Sequence, residues 1–524
     1  MPRSTDRDHA LPHAAPRPRP VPTLVLDGGP LSIAEVEAVA HGRMGAVLGV
    51  EGRRLLERGR HALERALAGG RAIYGVNTGF GSLARVRLEG RDLEAMQANL
   101  VRSHASGVGP PLPREVVRAM MLVLAASLTR GHSGVRPVVV EHLLAMLEAD
   151  LVPVVPSRGS VGASGDLAPL AHIALAMLGE GSIEMCGRTV PGGLGLKWAG
   201  LEPLALAEKE GLSLINGTHL MAASGALSLA AIARVVDAAE IAAAMAIDAC
   251  RATDAFLDPR LHEVRRQPGP QAVAARMRAL LDGSEILPSH AENDPRVQDP
   301  YCLRATPQVL GAAVDAIAYA REAIERELGA VTDNPLLFEE DGVAVPLSGA
   351  NFHGMPIAIA LDTLAIALCH VAGISERRVN WLFTASDPQN PVTPHLSPTP
   401  GLHSGLMIAQ YAAASCCNEL QTLATPASVS NIPTCAGIED YNSMGATSAA
   451  KLRSAVECAT SVIAIELLAM CEGLEFQRPL RSGAAIEAAH ARIREVVPRL
   501  ERDRPPAPDI AAIERLVSSG SLRH

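Results

Sequence analysis

Apolar residues recur at helical spacing over most of this chain, and almost nowhere at the two-residue spacing of a half-buried strand. Ser32 is placed to cap a first helix that carries Ile33, Val36 and Val39 on one face. Residues 114–126 and 137–151 read as a helical pair split by Gly131-His132-Ser133-Gly134. Pro153 and Pro156 introduce a glycine-rich loop, 159–165, after which 167–178 resumes a helical pattern that stops at Gly179. Turn-rich sequence follows around Pro191-Gly192-Gly193. Long helical patterns then lie near 219–251, 306–329, 354–380, 403–424 and 444–474. Each is too apolar for a lone surface helix, which predicts a bundle with buried seams. A helix of about 25 residues spans roughly 37 Å, and alanine on several of its faces suggests subunits packed together.

The expected fold is therefore all-α, a long-helix bundle with a smaller, loop-rich N-terminal portion. The expected boundaries are an arm over 1–23, an N-terminal domain over 24–215, a central bundle over 216–478 and a charged C-terminal segment over 479–524. That last segment has a Pro-rich break at 502–508 before a short final helix. The arm carries Pro12, Pro16, Pro18, Pro20 and Pro22 among Arg and His with no apolar core, which predicts disorder rather than a secretory signal. The apolar run 357–374 is interrupted by Asp362 and His370, short of the roughly 18 unbroken apolar residues that suggest a membrane span. A soluble, cytoplasmic protein is expected.

Composition sharpens this picture. Of 524 residues, 48% are hydrophobic but only 2% aromatic, so the apolar content is nearly all Ala, Leu, Val and Ile, a mix that favours helices. The net charge of -9 argues against a nucleic-acid partner. The nine cysteines are odd in number, scattered, and without a C-x-x-C pair or zinc spacing. They read as small hydrophobes in a reducing compartment.

The loop Gly159-Ser160-Val161-Gly162-Ala163-Ser164-Gly165-Asp166-Leu167 is the most informative segment. It fails the phosphate-loop pattern, since no Gly-Lys-Ser/Thr follows. It also misses the G-x-S-x-G spacing of a serine nucleophile. On its own it reads as a turn before a helix.

The stretch 159–173, GSVGASGDLAPLAHI, resembles the signature of the aromatic amino-acid ammonia-lyases, the family of histidine, tyrosine and phenylalanine ammonia-lyases. YGVNTGFG at 74–81, NGT at 216–218, QDPYCLR at 298–304, TDNP at 332–335, GANFH at 349–353 and Glu439-Asp440 match in the same order. The resemblance runs from about Leu31 to Leu480. It implies a homotetramer of long helices, each active site built from three chains, acting on a small amino acid with no metal and no external cofactor. It also implies that Ala163-Ser164-Gly165 cyclises and dehydrates to 4-methylideneimidazole-5-one, a change that removes about 36 Da.

Roles follow from the same resemblance. Ser164 contributes the electrophilic carbon, and Tyr74, on a lid-like loop, takes the substrate's β-proton. Arg304 holds the carboxylate, because guanidinium is a bidentate fork. Asn216 and Tyr301 bond the cofactor region and the substrate, Tyr301 counting with the catalytic residues. Gln298 lines the pocket and Phe352 packs beside the cofactor.

Two positions choose the substrate. Ser103-His104 resembles the histidine-type pattern, with His104 bonding an imidazole. Glu439 suits an imidazole N–H and would reject an apolar ring, because an unpaired buried carboxylate costs several kcal/mol. Gly437-Ile438 and His219 depart from the family's usual Asn-Gln and Gln. The expected reaction is thus deamination of L-histidine to urocanate. A lyase or 2,3-aminomutase acting on tyrosine or a modified histidine is the alternative.

Overall fold

A computed structural model describes residues 21–69, 73–79, 92–292, 294, 296–340 and 343–522. Among these the long helices run His219–Ala249, Thr306–Glu327, Met355–Thr384, Met407–Leu423 and Gly445–Glu475. Ser32 caps the first helix, Ile33–Ala40, in a reciprocal box with Glu35, each side chain accepting from the other's backbone N–H at 3.2 and 2.8 Å. The paired helices are Arg114–Thr129 and Pro137–Glu148.

The few strands are short and sit in sheets of two or three. Thr23–Leu26 pairs in parallel with Gly45–Leu48, so chain expected in the arm's last residue is already strand; residues 1–20 of that arm lie outside the described residues. The turn expected at 191–193 is instead the end of a hairpin, Ser182–Met185 with Arg188–Pro191, leading directly into the helix Gly192–Trp198. Pro191 makes that junction, since proline cannot donate to a ladder but suits a helix entry.

The chain forms two compact units, each assembled from three stretches. Of the described residues, unit 1 takes those up to 224 and those within 325–355 and 430–446; unit 2 takes those within 225–324 and 356–429 and those from 447 on. This division interleaves the contiguous segments expected from the sequence, because the hairpin Leu336–Glu340 with Val343–Leu347 belongs to unit 1. Within unit 1, Leu337 exchanges backbone and ring bonds with His132 (2.9 and 3.0 Å) and joins Leu63, Ile73 and Val76 in a buried cluster.

The helices Met355–Thr384 and Gly445–Glu475, in unit 2 but for their first one and two residues, are long and apolar enough to cross a membrane. Yet 67% and 72% of their apolar windows are buried inside the protein, as in core helices. Arg378 and Glu466 are fully buried between them, paired through Nη2 and Oε2 at 2.9 Å. Arg378 also donates to Thr306 Oγ1 at 3.3 Å, which in turn donates to the Cys302 carbonyl.

Candidate active site

The glycine-rich loop is clamped from three directions within unit 1. Gly165 pairs with Gly217 in an isolated parallel bridge, and the Asp166 N–H donates to the Gly217 carbonyl at 2.7 Å. Gly165 has φ of +71°, and a Cβ there would lie 2.2 Å from the Gly217 oxygen, so only glycine fits. On the other side, the Gly162 carbonyl accepts from Ser443 Oγ (2.9 Å) and the Gly354 N–H (3.2 Å), while Val161 O accepts from Met444 N. Asn216 Nδ2 donates to the Ser164 carbonyl at 2.8 Å.

Asp166 ties this loop to the N-terminus of the helix His219–Ala249. Its carboxylate accepts from Ser160 Oγ (2.8 Å) and from the N–H groups of Leu220 (2.9 Å) and Met221 (3.1 Å), where the helix dipole favours an anion. Burial nevertheless pushes the carboxyl up to about 6 against those bonds. His219, in the first turn of the same helix, is buried with neither ring nitrogen hydrogen-bonded, and burial pushes it down to about 4.

Beside the loop lies a cavity of about 1110 Å³, lined entirely by unit 1. It gathers Tyr74, His104, Ala163, Ser164, Asn216, Phe352 and Glu439, seven of the predicted residues. Tyr74 is placed by a turn whose Ile73 and Val76 are buried, with Ile73 N–H bonded to Asn77 Oδ1 (2.7 Å) and Gly75 N–H to Thr78 Oγ1 (3.1 Å). Ser164 Oγ donates to Glu439 Oε1 at 2.7 Å, and the other carboxylate oxygen accepts from Thr434 Oγ1 at 3.0 Å. His104 Nδ1 meets the Leu100 carbonyl at 2.9 Å, leaving Nε2 for other partners. Burial holds the His104 ring below its ordinary pKa, opposed by that bond and by the Glu439 charge, so the ring is neutral at pH 7.

Gln298, Tyr301 and Arg304 are not among the lining residues. They cluster in unit 2 on and before the short helix Tyr301–Arg304. Arg304 donates to Gln298 Oε1 (2.8 Å) and the Asp299 carbonyl (2.9 Å), and its guanidinium lies 4.6 Å over the exposed Tyr301 ring.

Sequence reasoning passed over His353 and Thr434. His353 spans from Nε2 to the Tyr441 carbonyl (2.9 Å) and from Nδ1 to the Met355 N–H (3.4 Å), so both nitrogens hold backbone in place. Its presence in the GANFH motif was the available signal. Thr434 left none, because its pairing crosses a turn that no spacing rule marks.

The family described as aromatic amino acid lyase matches residues 31–495. A histidine ammonia-lyase of Sorangium cellulosum (strain So ce56) is 48% identical over 504 residues, covering 95% of this chain and 98% of that protein. Among solved structures, a histidine ammonia-lyase from Trypanosoma cruzi superposes with a TM-score of 0.88 at 37% identity, over 95% of this chain and 94% of its own. A tyrosine aminomutase from Streptomyces globisporus gives a TM-score of 0.89 at 34% identity, over 96% and 98%.

Proposed function

This chain belongs to the aromatic amino acid lyase family and is a carbon–nitrogen lyase; from that premise we propose that it eliminates ammonia from L-histidine to give urocanate. The observation that carries the substrate is Glu439, whose Oε1 lies 2.7 Å from Ser164 Oγ in the cavity that His104 also lines. With Nδ1 donating to Leu100, His104 offers an acceptor at Nε2. An acceptor at either place suits a ring that donates an N–H, whereas a phenyl ring would desolvate the carboxylate without offering it a donor.

The residues fit the family's self-made group, 4-methylideneimidazole-5-one from Ala163-Ser164-Gly165. Gly165 has no Cβ to obstruct closure, Gly162 and Gly165 fold the loop at positive φ, and Asn216 is bonded to the Ser164 carbonyl. That group supplies an electrophile that makes the substrate nitrogen a better leaving group. Tyr74 takes the β-proton, and with it the elimination balances as urocanate plus ammonia. Phe352 walls the cavity. No Lys or Arg is among the described lining residues, so the substrate carboxylate calls for Arg304, with Gln298 and Tyr301, supplied by another chain of a homotetramer. We read the enzyme as a soluble one of the cytoplasm; the solubility is supported by the buried apolar windows of the helices Met355–Thr384 and Gly445–Glu475.

Incubating the purified chain with L-histidine, L-tyrosine and L-phenylalanine tests this. Urocanate from histidine alone, an intact mass about 36 Da below the sequence mass, and loss of both in Ser164→Ala are expected. An unmodified mass with no turnover overturns the reading. The second reading, a 2,3-aminomutase on tyrosine or a modified histidine, is favoured by the likeness to the tyrosine aminomutase and by Ile438, an apolar side chain 67% exposed in the cavity wall. A β-amino acid as product would select it.

A further inference from the structure

The six residues 434–439 form a tight turn. The Thr434 N–H donates to the Glu439 carbonyl (2.9 Å), and the Thr434 carbonyl accepts from the N–H groups of Gly437 (3.0 Å) and Glu439 (3.3 Å). Inside it, Cys435, Ala436 and Gly437 follow one another at φ of +52°, +55° and +83°. Only the glycine adopts this region freely; in the other two the Cβ crowds the following carbonyl oxygen. Strain kept beside a cavity points to a geometry that function requires.

What the turn achieves is specific. It returns the chain so that Thr434 Oγ1 reaches Glu439 Oε2 at 3.0 Å, leaving Oε1 to meet the side chain of residue 164 at 2.7 Å. We propose that Thr434 is a positioning residue, whose hydroxyl occupies one carboxylate oxygen and so aims the other at the reaction centre. The backbone bonds already close the turn, so the hydroxyl is not needed for that. The proposal rests on the reading of Glu439 as the partner of the substrate's imidazole.

The test is a double-mutant cycle on the full-length enzyme, with Thr434→Val, Thr434→Ser, Glu439→Gln and Thr434→Val/Glu439→Gln. Removing a hydrogen bond to a charged group predicts a loss of about ten- to a hundredfold in kcat/KM for histidine in Thr434→Val. Thr434→Ser should stay within about threefold of the parent, because it keeps the donor. In the Glu439→Gln background the valine should add less than about twofold, which a merely structural role would not produce. Thr434→Ala repeats the cycle if the branched residue does not fold. A full-sized loss in both backgrounds, or none in either, overturns the proposal.

Imidazole binding, measured by calorimetry on the same four proteins, separates this from the histidine reading. Urocanate formation untouched by Thr434→Val sinks the positioning role and keeps the lyase. Coupled weakening of imidazole binding in an enzyme that yields no urocanate does the reverse.

Discussion

At the scale of single residues, two buried groups on either side of Gly217 respond to acid in opposite directions. His219 is neutral in the fold, its pKa pushed down to about 4 by burial. Between that value and the ordinary 6.5, the unfolded chain binds a proton that the folded chain refuses. Its contribution is therefore present above pH 6.5 and lost as pH falls toward 4, amounting to about 2 kcal/mol at pH 5 relative to pH 7. Asp166, raised by burial to about 6, holds its proton in the fold longer than in the unfolded chain, so its term is lost as pH rises from about 4 to 6. His219→Gln should flatten the acid-side decline: the urea midpoint should fall less between pH 7 and pH 5 than in the parent. Equal declines would remove His219 from the account. Much of the site was legible at this scale, because Ser164, Asn216, His104 and Glu439 sit in short contiguous motifs. The hydroxyl of Thr434 and the bridging ring of His353 were not, since their roles depend on contacts between segments far apart in sequence.

At the scale of elements, the bridge between Gly165 and Gly217 is a single residue pair, yet it fixes the register of the loop that carries Ala163 and Ser164. Gly165→Ala would put a Cβ 2.2 Å from a carbonyl oxygen at a φ that side chains avoid. The expected result is a folded chain whose intact mass stays at the unmodified value, and a mass about 36 Da lower would refute it. Helices were readable in advance because their apolar period persists over many turns. The predicted 403–424 helix begins only at Met407, since Gly405 turns at φ of +63° and the Ser404 and Gly405 N–H groups are held by Asp503. The hairpin of Leu336–Glu340 with Val343–Leu347 escaped notice because neither five-residue strand shows clean alternation: the first has three consecutive exposed positions and the second three consecutive half-buried ones. Nor does periodicity announce the pair Arg378–Glu466, buried where an apolar seam was expected. Glu466→Gln leaves a guanidinium buried without its counter-charge and should cost about 3–5 kcal/mol, read from the urea midpoint. Replacing both partners by Met and Leu should cost less, because no bare charge remains.

At the scale of the whole molecule, the feature that matters is the charge of the cavity's described lining. The described lining of the cavity offers carboxylates, histidines, amides and hydroxyls, but no cation. An amino-acid substrate brings a carboxylate, and burying it without a counter-charge costs several kcal/mol. Arg304, held by Gln298 and the Asp299 carbonyl and stacked on an exposed Tyr301, is the group we propose to receive it. If the cavity of one chain is completed by Arg304 of another, two different lesions can compensate. Ser164→Ala and Arg304→Ala should each be inactive alone. Co-expressed in equal amounts, they should recover roughly a quarter of the parental activity, because a site drawing its two residues from two chains mixed at random is intact one time in four. Were both residues supplied by one chain, every mixed assembly would carry a lesion in each site and no activity would return.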